Sequence, residues 1–177
     1  MKRILTIFIL VLSVTAVFAS PWPQNEDSIQ SIRQHYTQIN ANVPRYRRVR
    51  KELSGFSAEG GELLAHFHGP SVMKMVANYL GESGKASEEY YFWDGKMIFV
   101  LRTEFRYDKH LSGKVAGKTE NRFYFSNDKL IRWIDENGKQ AASDSPDYQA
   151  KQKEFLESSK LLSDGARAKS PTIESKQ

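Results

Sequence analysis

At Arg45 the hydrophobic period of this chain changes from three-to-four to two, and it stays at two as far as Asp135. A period of two sends successive side chains to opposite faces of a strand. Strands are expected near Tyr46–Leu53, Gly61–His68, Val72–Leu80, Glu88–Trp93, Lys96–Tyr107, Thr119–Ser126 and Lys129–Asp135. The fifth run is the clearest, with Met97, Phe99, Leu101, Phe105 and Tyr107 alternating against Arg102, Glu104 and Arg106. The breaks Gly69-Pro70, Asp94-Gly95 and Asn127-Asp128 are tight-turn signals, and tight turns join antiparallel strands. Tyr91–Ile98 and Tyr124–Ile131 repeat one pattern: aromatic strand, turn, aliphatic strand. Two hairpins of one meander account for it, since two copies are too few for a solenoid.

Helices are expected at both ends. Over 25–40, Asn25, Glu26 and Asp27 supply a cap and first-turn acids, and Ile29, Ile32, Tyr36 and Ile39 form an apolar stripe. Pro44 stops any continuation. A second helix is expected over 146–162, with Pro146 in its first turn and Tyr148, Phe155, Leu156 and Leu162 on its apolar side. Strands grouped between helices give an α+β class: a single antiparallel meander sheet of about six to seven strands, with an N-terminal and a C-terminal helix packed on one face. A strongly curled sheet approaching a half-barrel is the alternative. The expected domain is 20–163. After Gly165 the chain is small, polar and charged, so 164–177 reads as a disordered tail.

Residues 1–19 read as a secretory signal peptide: Lys2 and Arg3, then an uncharged apolar run to Phe18, then small residues ahead of Ser20. The run is shorter than the roughly 18–20 residues of a membrane span. Ser20 in place of a cysteine argues against a lipid anchor. The expected product is periplasmic or secreted, with no membrane span after signal removal. There is no cysteine, so thiol catalysis and Cys-ligated zinc are excluded and the fold must stand without disulfides. The full chain carries +5 at pH 7, and two of its cations lie in the signal, too little to argue for nucleic acid. Export argues against ATP or NAD, and no cofactor is expected.

Three constellations stand out. Glu62, His66 and His68 share one strand face and could approach a metal, but the sequence identifies no further ligand. Leu63, Ala65 and Phe67 on the other face look like core, so the imidazoles also fit the wet side of a hairpin. The run Arg45-Tyr46-Arg47-Arg48-Val49-Arg50-Lys51 could grip phosphate, lipid head groups or an acidic protein patch. It equally describes an edge strand charged against aggregation, because its cations leave from both faces. Third, Tyr90 to Trp93, Phe123 to Phe125 and Trp133 make part of the sheet apolar on both sides. Ile131 and Trp133 are expected opposite Leu130 and Ile134. Either helices cover the second face or it is a groove. Ser71-Val-Met-Lys74 and Gly84-Lys85-Ala86 lack the remainder of the motifs they suggest, and no catalytic residue is singled out.

The segments Gly60-Gly61-Glu62-Leu63, Tyr79–Lys85, Glu89-Tyr90-Tyr91-Phe92 and Gly95–Val100 resemble a pattern in small exported bacterial proteins of unknown function. The resemblance covers roughly residues 60–107 and implies an exported meander of hairpins, with no activity and no site residues attached. The expectation from the residues is a non-enzymatic binding module. Its contacts would be Arg45, Arg47, Arg48, Tyr124, Arg132 and Trp133, facing another envelope protein or an amphiphilic or anionic ligand. A carrier with an internal apolar cavity and a small hydrolase using His66 or His68 are the alternatives.

Overall fold

The alternating runs become strands in chain order in the computed structural model, which describes residues 25–175. The signal reading of 1–19 lies outside the described residues. A helix α1 (Glu26–Asn42) and a short 3-10 turn (Val43–Arg45) precede seven strands. These are β1 (Arg47–Ser54), β2 (Gly61–His68), β3 (Ser71–Gly81), β4 (Gly84–Trp93), β5 (Lys96–Tyr107), β6 (Val115–Ser126) and β7 (Lys129–Ile134). A long helix α2 (Pro146–Arg167) and a short strand β8 (Thr172–Glu174) follow. The sheet order is β7-β6-β5-β4-β3-β2-β1-β8, so β1 to β7 form an uninterrupted antiparallel meander. β7 and β8 are the two edges of an open sheet. Two hairpin turns use residues in the left-handed region: Asp94 and Gly95 (φ 48° and 75°), and Asn127 and Asp128 (φ 49° and 60°). That is the geometry whose twist suits a two-residue hairpin.

The two helices lie on opposite faces, not on one. Ile29, Ile32 and Ile39 of α1 pack with Tyr91, Phe99 and Tyr124. Tyr148, Phe155, Leu162 and Ala166 of α2 pack with Tyr90, Phe92, Phe123, Phe125 and Leu130. Adjacent aromatics on β4 and β6 thus serve two separate cores. The second apolar face, left open in the sequence between cover and groove, is covered where these rings lie.

Pairing slips at four places; one adds Ala116 near the start of β6, and the other three are alike. The ladders slip at Met73, Ile98 and Ile131, so that Phe67 pairs with Val72 but His66 with Lys74, Phe92 with Met97 but Tyr91 with Phe99, and Phe125 with Leu130 but Tyr124 with Arg132. Each extra residue is the third of its strand, directly after a turn, and each packs on the α1 side. A bulge inserts one residue and flips the side chains that follow. Met97 therefore faces α2 while Phe99 faces α1. Leu130 and Trp133 share the α2 side instead of opposing each other.

The expected disordered tail is also corrected. α2 continues through Gly165 to Arg167, and β8 pairs in parallel with Glu52–Ser54 of β1, which makes the sheet mixed. Gly165 is a notch rather than a stop: a Cβ there would lie 2.5 Å from Cδ1 of Ile173, which is buried. Lys51 adds a second tie. Its buried Nζ donates to the carbonyl of Ala168 at 2.7 Å and to that of Ser170, which suits a cation beside the carbonyl end of a helix.

Candidate functional site

α1 crosses the sheet obliquely, pinned at both ends. At its start Arg132 Nη2 donates to Glu26 Oε2 at 2.8 Å, and this bond holds the Glu26 carboxyl below its usual range. Near its end Asn40 Oδ1 accepts from Lys74 Nζ at 3.0 Å. Between these pins the helix stands as a ridge, with a groove on each flank.

The first groove, about 280 Å³, is floored by Phe99, Leu101 and Tyr124 and walled by Ile32 and Tyr36. Its rim is Arg33, Arg122 and Glu120. The rings are locked together: Tyr36 meets Phe99 edge-on at 5.5 Å, and Phe99 meets Tyr124 at 4.9 Å. Glu120 accepts from Lys118 at 2.7 Å and from Arg122 at 3.1 Å. The Lys118 hydrogen bond, with the charges of Lys118 and Arg122, keeps its carboxyl ionised below the ordinary range. Two arginines against one glutamate leave this groove positive. The second groove, wider at about 580 Å³, runs past Ser31, His35, Trp93 and Ile98, with Asp27 and Asp94 against Lys96. Its lining charge is negative.

β4 carries a polar device on each face. Glu88 is buried on the α2 side, where the hydroxyls of Tyr90 (2.5 Å) and Tyr79 (3.1 Å) and Arg102 (3.0 Å) donate to it. Burial first, then the Glu88 charge, pushes both tyrosine hydroxyls far up, so they stay protonated donors. One residue on, Glu89 faces α1, accepting from the Tyr91 hydroxyl at 2.5 Å and from Lys74 at 2.6 Å. Lys74 also lies over the Tyr91 ring, 4.8 Å from its centre. Each carboxylate is fully engaged with a cation and a hydroxyl, an arrangement that ties neighbouring strands and leaves no free acid or base.

The six residues expected to form one surface do not come together. Arg45, Arg47 and Arg48 are exposed at the start of β1, whereas Tyr124, Arg132 and Trp133 lie on β6 and β7. Six strand spacings separate β1 from β7, roughly 29 Å at about 4.8 Å each. Tyr124 is only 7% exposed beneath α1. The Arg132 side chain is 11% exposed and spent on Glu26. Trp133 is half-buried on the opposite face, its Nε1–H donating to Asn121 Oδ1 at 2.9 Å and its ring against Phe123. Of the six, only Tyr124 lines the positive groove.

The histidine constellation also separates. His66 is buried, and its Nδ1 has no partner among the described residues. Burial, with Lys74 and Arg48 nearby, holds its pKa down and the ring neutral. His68 is exposed at the strand end beside Tyr46, and Glu62 is taken by Arg50 at 3.1 Å. Among the described residues no three His, Cys, Asp or Glu side chains group as metal ligands.

Sequence reasoning missed Arg33, Tyr36, Leu101, Glu120 and Arg122. They come from three elements, α1, β5 and β6, with the helix far from the strands in the chain, and carry no spacing signal. The Glu88-Glu89-Tyr90-Tyr91 quartet did carry one: carboxylate and tyrosine two apart on a strand share a face. No helix among the described residues is long and apolar enough to cross a membrane. The chain matches no family model, no curated protein and no solved structure.

Proposed function

We propose that this chain is an exported bacterial protein that acts as a non-enzymatic binding module. Its ligand is a small amphiphilic anion seated in the positive groove beside α1. The observation that carries this reading is the pairing of an apolar aromatic floor with an arginine at each side of the rim, Arg33 and Arg122. An apolar floor contributes affinity through desolvation, and a few placed charges orient the ligand. Pockets for small molecules run roughly 300–1,000 Å³, and the groove lies at the small end, suited to a short alkyl or aryl chain bearing one acid. The Arg33 charge is felt at Glu26, whose carboxylate is already bonded to Arg132, so we take the Arg33 guanidinium as the group that meets a carboxylate or sulfonate. The periplasmic or secreted location rests on the signal pattern of residues 1–19.

The probe is decanoate, titrated while the methyl signals of Ile32, Leu101 and Ile98 are followed by NMR. Ile32 and Leu101 should shift, and Ile98, in the other groove, should move little. Leu101→Glu, which puts a carboxylate on the floor, should weaken binding at least tenfold, whereas Lys96→Ala should not change it. Shifts confined to Ile98, or none at millimolar decanoate, would overturn the assignment.

A further inference from the structure

We infer that the outer edge of β1 is a separate docking surface, one that takes an acidic, extended segment of another protein as an added strand. β1 is paired along its inner side with β2, but on its outer side β8 covers only Glu52–Ser54. The Glu52 N–H donates to the Pro171 carbonyl, and the Ser54 carbonyl accepts from the Ser175 N–H. The even-numbered residues therefore turn their backbone groups outward. β1 and β2 pair without a register shift, so the alternation carries back to Arg50 and Arg48. The N–H and C=O of these two residues face outward, and among the described residues nothing bonds to them. That is the template strand addition needs.

The side chains around this edge set the partner's chemistry. Arg45, Arg47, Arg48 and Arg50 are all exposed, and the end of α2 brings Arg167 and Lys169 to the same corner. Arg47 and Arg167 converge on one ring, their guanidinium carbons 4.4 Å and 5.8 Å from the centre of Phe67. Among the described residues, only Arg50 of the six has an ion-pair partner, Glu62. Charge on an edge is the ordinary defence against strand-on-strand aggregation. It repels a second copy of this chain through the same edge, and it attracts an acidic strand. The division of the cations between faces, Arg47 on one and Arg48 and Arg50 on the other, matches such an occupant. An added strand projects its own side chains alternately to both faces, so each set of arginines meets carboxylates.

The test uses a peptide of about eight residues repeating Glu-Glu-Thr-Thr, which as a strand presents carboxylates on both faces, at low ionic strength, with amide hydrogen exchange read on the intact protein. The peptide should slow exchange at Arg48 and Arg50 at least tenfold and leave the amides of β6 and β7 unchanged. The same peptide N-methylated at alternate residues keeps its charge and loses its ladder, and should bind at least tenfold more weakly. Arg48→Glu with Arg50→Glu, both exposed positions, should weaken the unmodified peptide at least tenfold. The proposal is overturned if the peptide does not bind, if the N-methylated peptide binds as well, or if binding leaves the two amides unprotected. Concentration-dependent protection of the same amides without peptide would make the occupant a second copy and would also overturn it.

Discussion

Glu88, Glu89, Tyr90 and Tyr91 show how four consecutive residues serve two cores at once. On a strand each carboxylate shares its face with the tyrosine two positions on, and each then needs a cation from a neighbouring strand: Arg102 of β5 for Glu88, Lys74 of β3 for Glu89. A buried carboxylate is tolerable only while those donors hold it. Arg102 is the more exposing test, because it also reaches Glu104 at 2.9 Å and Glu154 of α2 at 3.3 Å, joining sheet to helix. Arg102→Met leaves the Glu88 charge buried with two hydroxyls and no cation, and should cost about 3 kcal/mol in urea unfolding at pH 7. Glu88→Gln in the same chain removes the orphaned charge, so the double variant should be more stable than Arg102→Met alone. If the two losses simply add, the pair is not coupled and Glu88 is held by the tyrosines alone.

At the level of elements, the three bulges that follow a hairpin turn explain a pattern visible in the sequence but not readable as such. Val72-Met73, Met97-Ile98 and Leu130-Ile131 are apolar doublets placed just after a turn. In each, the first residue faces α2 and the second is the extra one on the α1 side. Period-two reasoning located the strands within a few residues, because turn residues and aromatics mark them. It mis-faced Met97 and Trp133, because alternation cannot count an inserted residue. It also shortened β4 and β6, whose first residues, Gly84–Ser87 and Val115–Lys118, look like loop and are held by pairing across the sheet. The grooves were out of reach for a different reason: where α1 lies on the sheet depends on contacts such as Arg132 with Glu26, which no local pattern encodes. Gly165 is the plainest misreading, since composition makes it a terminator and packing makes it a seat for Ile173. In an ordinary helix interior Gly→Ala gains about 1 kcal/mol. Here the new methyl meets three atoms of Ile173 within 3.1 Å, so Gly165→Ala should instead lose about 1–3 kcal/mol. Ile173→Ala should relieve the clash, and the double-mutant cycle measured by urea unfolding should show a favourable coupling of about 1 kcal/mol. Simple stabilisation by Gly165→Ala would mean that β8 does not press on α2.

For the whole molecule, the sheet is a wall with a helix on each face, and the coverage is unequal. α2 reaches from Leu130 to β8 on its side, whereas α1 runs from Arg132 of β7 to Lys74 of β3 and packs chiefly on β4, β5 and β6, leaving its side of β1 and β2 beyond the main helix contacts among the described residues. His66 sits in that region, buried between Arg48 and Lys74 as its strand neighbours, with no acid bonded to its Nδ1. Burial, then the two cations, disfavours its charged form in the fold. The unfolded chain therefore binds a proton at His66 that the folded chain refuses. Stability from this residue is intact above its ordinary value of 6.5 and falls as the pH drops below it. The carboxyls held low in the fold, those of Glu26, Asp108 and Glu120, stabilise it at higher pH and lose that contribution only as the pH falls near and below their own ordinary values of 3.8 to 4.5. Between pH 7 and pH 5 the two effects are thus separable. The melting temperature should fall over that interval in the native chain. In His66→Leu, which keeps an apolar side chain among its neighbours and removes the titrating group, the same interval should be close to flat. An equal slope in both chains would place the acid sensitivity elsewhere and leave His66 with no measurable part in it.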